Sequence, residues 1–161
     1  MTDSISSTRL PLASINLESF QVTNVILNNR EFIPQGTALD IKLKLDYHAV
    51  SITRPGIEEI KNFGIRFVAY ISDSQGLLEL NTQSTAIFAS TREVDEEFLE
   101  SHFARVNAPA IAYPFLRAFI STLTLNSGLA PIILPAFNFM NSLENKAVEL
   151  PAPPPNELPA G

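Results

Sequence analysis

Cysteine and tryptophan are absent from this chain, and histidine and methionine occur twice each in 161 residues. Without cysteine there is no disulfide, no thiol nucleophile and no thiolate metal site, which fits a reducing compartment. Glycine is sparse and scattered. Gly36, Gly56, Gly64, Gly76 and Gly128 stand apart and build neither a dinucleotide fingerprint nor a phosphate loop. No Gly-x-Ser-x-Gly elbow occurs. His48 and His102 have no recognised ligand spacing around them, so no metal is expected. Basic charge is short as well: 11 Lys and Arg face 17 Asp and Glu, for a net charge of −6. Phosphate binding needs a basic surface, so nucleic acid is not an expected partner. No apolar run reaches the roughly 18 to 20 uninterrupted residues that a spanning helix requires. The opening MTDSISSTRLPLAS has no basic segment leading into an apolar one. Neither membrane insertion nor secretion is expected, and the predicted location is cytoplasmic.

The nearest approach to a catalytic set is the acidic group Asp95, Glu96, Glu97 and Glu100. Acid–base work needs one carboxylate desolvated and shifted. Acids crowded at a helix start read instead as a solvated face. The chain is therefore expected to be no enzyme, with no catalytic residue and no cofactor.

What the chain does have is 45% hydrophobic residues, enough to close the core of one domain. The expected organisation is a flexible N-terminus over 1–13, one domain over 14–146, and a Pro-rich disordered tail over 147–161. Ile15 to Leu27 shows three short alternations: Ile15 and Leu17, Phe20 and Val22, Val25 and Leu27. The phase slips twice between them, which predicts one long strand with bulges or bends. Thr37 to Val50 alternates cleanly, with Leu39, Ile41, Leu43, Leu45, Tyr47 and Ala49 on the dry face. Phe63 to Asp73 and Leu77 to Ser90 predict two further strands, the second weakest around Asn81 to Ser84. Four strands without intervening helices predict an antiparallel meander.

Helices follow. Ser90-Thr-Arg-Glu93 has the form of a capping box, and the acids after it suit a helix N-terminus. This first helix is expected to end near Val106. A second begins between Asn107 and Pro114, where Pro114 is expected to break or kink it. Phe115, Leu116, Phe119, Ile120 and Leu123 form its apolar stripe, the predicted packing and oligomer surface. Arg117, Ser121 and Thr124 fall on the opposite side, and Gly128 is the expected stop.

The 37 residues from Asn107 to Leu143 carry one charge, Arg117. Within them, Leu129 to Phe139 is almost wholly apolar yet broken by Pro131 and Pro135. An apolar segment without regular structure strands its backbone polar groups if buried. Such a surface is the mark of an oligomer or ligand site. A last short helix is expected over Asn138 to Lys146.

Five groups of residues carry a resemblance: Ala112-Tyr-Pro-Phe-Leu-Arg117, Ile120-Ser-Thr122, Asn126-Ser-Gly128, Leu134-Pro-Ala-Phe-Asn-Phe139, and Ala86-Ile-Phe88 before the helices. Together, over about residues 15 to 143, they resemble the SecB family of export chaperones. The resemblance implies an α+β fold: a four-stranded antiparallel sheet with helices on one face, assembled as a homotetramer built as a dimer of dimers. It implies an ATP-independent holdase that binds unfolded preproteins in apolar grooves and keeps them export-competent. It places the client-binding groove at Leu129, Ile132, Ile133, Leu134, Phe137, Phe139 and Met140. Asn24, Asn28 and Asn81 stand where export members carry acids that engage the SecA motor, so that partner is in question. Two alternatives stay open: a SecB-like chaperone of a non-export client such as an antitoxin, and a small apolar-ligand carrier.

Overall fold

A computed structural model describes residues 14–53, 56 and 61–141, and the backbone of 148–150. Among these residues five strands form one antiparallel sheet in the order β1-β4-β3-β2-β5: β1 (Ile15–Asn29), β2 (Ile41–Ser51), β3 (Asn62–Asp73), β4 (Leu78–Ser90) and β5 (Val148–Leu150). Two helices lie on one face, α1 (Glu96–Leu99) and α2 (Ala108–Asn126), joined by a π-helical turn at Phe103–Asn107.

The two phase slips of β1 are two bulges, one between Leu17 and Ser19 and one between Val22 and Asn24. Each inserts one extra residue, Glu18 or Thr23, and each restores the apolar phase. Leu17 therefore lies opposite Phe88, Phe20 opposite Ala86, Val22 opposite Ser84, Val25 opposite Thr82, and Leu27 opposite Leu80. All these β4 partners are buried on the helix side. A strand without bulges would have turned half of these apolar side chains to water.

The simple meander needs one correction. Strands β2, β3 and β4 follow one another, but β1 lies beside β4 and not beside β2. This is a Greek key, made by a long connection across the end of the sheet. That connection, Arg30–Asp40, is fastened by the carboxylate of Asp73, which accepts the N–H groups of Asp40 (2.9 Å), Gln75 (3.0 Å) and Leu77 (3.4 Å). Thr37 to Asp40 belongs to it, so β2 starts later than its alternation alone indicates. The crossover makes β4 a central strand, hydrogen-bonded on both sides. That explains why it is regular through Asn81 to Ser84 despite weak local signal.

The core is the inner face of β3 and β4 against the helices. Phe63, Ile65, Phe67, Ala69 and Ile71 are fully buried along β3. Phe63 stacks on Phe88 (centroids 5.3 Å apart) and meets Phe98 of α1 edge-on at 5.1 Å. The cap of α1 is Asp95, whose side chain accepts the Phe98 N–H at 2.7 Å. Ser90, predicted as the cap, ends β4 and accepts the Arg92 N–H. The sheet runs farther than the capping pattern allowed. Pro114 lies inside α2. Both Pro114 and Ala110, four residues earlier, are exposed, so the carbonyl that Pro114 leaves unbonded sits on the solvent side. Val148–Leu150, which the sequence assigns to the tail, pairs with β2 at Leu43 to Leu45. Residues 1–13, 142–147 and 151–161, with most of the predicted last helix, lie outside the described residues.

Deleting Thr23 removes a bulge and leaves Leu17, Phe20, Val22, Val25 and Leu27 facing inward. Deleting Val25 turns Leu27 outward and Asn28 inward. Urea unfolding should place the first variant within about 1 kcal/mol of the parent and the second at least about 2 kcal/mol below it.

Candidate client-binding surface

The chain leaves α2 through a Schellman turn. Gly128, at φ 82°, supplies the left-handed residue. The Leu129 N–H donates to the Thr124 carbonyl and the Gly128 N–H to the Leu125 carbonyl, both at 3.1 Å. From Leu129 to Asn138 the chain has no helix or strand and runs back along α2, as its side-chain contacts with that helix show, and it turns at Phe139 and Met140. Leu129, Ile132, Leu134 and Phe139 are buried; Ile133 and Met140 are exposed at 60% and 55%. Ala130, Pro131, Ala136 and Asn138 are exposed between them. No charge stands on this outer side.

One row of α2 side chains satisfies three backbone groups in the middle of the segment. Thr124 Oγ1 accepts the Ile132 N–H at 2.9 Å and donates to the Ile120 carbonyl at 2.8 Å. Arg117 Nε donates to the Leu134 carbonyl at 2.8 Å. The Tyr113 hydroxyl donates to the Pro135 carbonyl at 2.8 Å. Residues 113, 117 and 124 share one face of the helix by its period. Pro131 and Pro135 have no N–H to satisfy, which lowers the number of partners needed. The stranded backbone that the sequence raises as a problem is thus met from the helix at Ile132, Leu134 and Pro135.

This corrects the helix faces read from the sequence. Thr124 does not lie on a polar outer side; it is fully buried. Arg117 and Ser121 are half-buried. Of the predicted apolar stripe, Leu116 and Ile120 are fully buried, Phe119 and Leu123 pack at the margin of the core, and Phe115 is 49% exposed. The hydroxyl of Thr124 is spent on backbone groups, so its burial carries no unmet polar cost.

An aromatic cluster holds the far end. Phe139 inserts between Tyr47 of β2 (5.1 Å) and Tyr113 of α2 (5.6 Å), and Phe137 lies 4.5 Å from Phe139. Beyond it, the Met140 N–H donates to Asn138 Oδ1 at 3.0 Å. The Met140 sulfur lies 3.1 Å from Nε2 of His102. Burial pushes the Tyr113 hydroxyl up to about 12, against the opposing pull of the Arg117 charge.

The seven predicted groove residues therefore divide. Four of them, Leu129, Ile132, Leu134 and Phe139, anchor the segment in the chain's own core. Phe137 is half-buried, and Ile133 and Met140 face outward. Sequence reasoning missed Tyr113, Arg117 and Thr124 as the residues that position the segment. Their shared spacing was visible, but polar residues on an amphipathic helix read by default as solvated.

His48 and His102 are exposed, as are Asp95, Glu96, Glu97 and Glu100. Glu100 pairs with Arg105 at 2.6 Å. Among the described residues no group of three or more His, Asp or Glu side chains converges. By length and composition the helical run Phe103–Asn126 is long and apolar enough to cross a membrane. In this structure its Ala108, Ala112, Leu116 and Ile120 are buried.

Two predictions test the positioning row. Thr124→Val keeps the shape but leaves the Ile132 N–H unpaired, so it should lower stability by about 1 to 3 kcal/mol in urea unfolding, while Thr124→Ser should recover most of the loss. The second concerns alkaline pH. A phenol whose pKa is raised by folding lends stability that is complete below its unfolded value, near 10, and lost as pH rises through about 12. The urea midpoint should fall over that window, and Tyr113→Phe should fall less.

Comparison with known proteins agrees with this architecture. A family model described as preprotein translocase subunit SecB matches residues 26–149. The SecB-like chaperone Rv1957 of Mycobacterium tuberculosis, solved in complex with a peptide from the HigA1 antitoxin, shares the fold at a TM-score of 0.60. That match is 16% identical and covers 77% of this chain and 88% of the other. An uncharacterized protein of Methanocaldococcus jannaschii is 42% identical over 55 residues, a stretch covering 33% of this chain and 36% of that protein's length. The family match extends over most of the sheet and the whole helical region, and the chain is a member of the SecB family.

Proposed function

We propose that this chain is an ATP-independent holdase, which binds unfolded or precursor polypeptides on the outer side of Leu129–Met140. The observation that carries this is the two-sidedness of that segment: its inward residues are locked in the core, and its outward row is uncharged and, Asn138 apart, apolar. Burying one large apolar side chain is worth on the order of 1.5 to 3 kcal/mol. A row of small gains along an extended wall retains an unfolded chain without reading its sequence. Met140 and the flanking aromatic cluster suit clients of varied shape. No ATP, cofactor or bond-making chemistry enters, and the protein acts in the cytoplasm.

Self-association belongs to the same proposal. Ile111, Phe115, Ala118, Thr122 and Leu125 are exposed on α2. Their spacing of four, three, four and three is that of a coiled-coil seam. Along β1, an edge strand, the stretch Gln21–Asn29 contains no charge. Unpaired edges without charged guards call for a covering partner. Two such surfaces per protomer are what a dimer of dimers needs.

A non-export client, such as an antitoxin, is the second reading. Asn24, Asn28 and Asn81 share the sheet face away from the helices, with Asn24 opposite Gln83, Asn28 opposite Glu79, and Asn81 opposite Tyr70. That patch holds amides where the export family has acids, which disfavours engagement of the SecA motor.

Ile133→Asp puts a charge on the outer row without entering the core. It should weaken retention of an unfolded client by about ten-fold, with stability within about 0.5 kcal/mol of the parent. Aggregation suppression and client titration by fluorescence anisotropy read the effect. Undiminished binding by a folded, fully assembled variant would remove the segment from the client surface.

A further inference from the structure

We propose that Met140 is an oxidation site, at which a peroxide converts the end of the client surface from apolar to polar. The inference rests on the client-binding reading above. Its starting point is where this chain keeps its sulfur. There is no cysteine, and the two methionines are Met1 and Met140. Met140 is thus the sole sulfur among the described residues. Its side chain is 55% exposed, so a small oxidant reaches it without unfolding. Its backbone is fixed by the Asn138 side chain and by an Asn141 N–H to Asn138 carbonyl bond of 3.3 Å. The preceding Phe139 is buried in the aromatic cluster. The thioether is accordingly held at one place beside the outward row, with Nε2 of His102 at 3.1 Å.

The chemistry is a two-electron oxygen transfer. A sulfur lone pair attacks one peroxide oxygen, the O–O bond breaks, and the S–O bond forms. The transferred oxygen gives its proton to the departing hydroxide, which leaves as water. Sulfur is oxidised and the peroxide reduced. The product is a polar sulfoxide in place of a flexible apolar group, a change that methionine sulfoxide reductases reverse. Its oxygen is a strong acceptor close to His102 Nε2, which donates to it in the tautomer that carries the proton there; His102 sits just before the π-helical turn. Oxidation therefore both wets the end of the wall and ties it to the neighbouring element. Client affinity falls while the buried anchors Ile132, Leu134 and Phe139 stay in place.

The test treats the full chain with hydrogen peroxide and reads two quantities. Peptide mass should show one added oxygen on the peptide containing Met140, and the His102 ring nitrogens should shift in NMR spectra, a shift that Met140→Leu lacks. Retention of an unfolded client should drop roughly three- to ten-fold on oxidation. Met140→Leu, whatever its starting affinity, should bind equally before and after peroxide, and Met140→Gln should be weak without it. An unmodified Met140 under conditions that oxidise Met1 overturns the site. Oxidation with full client retention overturns its effect on binding. A chain that holds no client before peroxide contradicts the client reading and the proposed effect together, while the mass and the His102 shift still decide whether the oxidation site exists.

Discussion

Everything distinctive about this protomer depends on how an apolar, proline-broken segment satisfies its backbone. Water is excluded from its inner side, so each inward N–H and carbonyl needs a partner. Three side chains of α2, at 113, 117 and 124, supply partners for the Ile132 N–H and the Leu134 and Pro135 carbonyls. Because these bonds are made by a helix packed on the sheet, the segment inherits the rigidity of the core. Its side chains then divide into an inner and an outer set, held by α2 along the middle and by Tyr47 of β2 at the far end.

Much of the sheet was legible in the sequence. The two phase slips of β1 located both bulges, because a period of two leaves no other way to keep Ile15 through Leu27 on one face. The dry faces of β2 and β3 were equally plain. Strand order was not, since the alternation of β1 is satisfied beside β4 as well as beside β2. What separates the two is the crossover fastened by Asp73, a long-range contact without a local signature. The short α1 illustrates the same limit. Both Ser90 and Asp95 have capping chemistry, and the choice between them is made by where β4 stops.

The candidate surface was legible as a stretch and misread in its parts. Low charge and high apolarity marked Leu129–Met140 correctly as unusual. They could not say which side chains face inward, because prolines erase the periodicity that would tell. Thr124 was misplaced for the opposite reason: a helical wheel marks it polar, and its burial depends on a backbone group eight residues away. Leu129, Ile132, Leu134 and Phe139 hold the wall up, while Ile133 and Met140 stand on it. In the same way the exposed row from Ile111 to Leu125 emerges only when the helix is seen against the sheet.

The central claim is that anchors and contacts are separate side chains of one segment. Methyl NMR of the assembled protein during titration with an unfolded client tests it most directly. The account predicts that the methyl signals of Ile133 and Met140 move while those of Ile132 and Leu134 stay. Equal movement of all four, or movement of the buried pair alone, would contradict it.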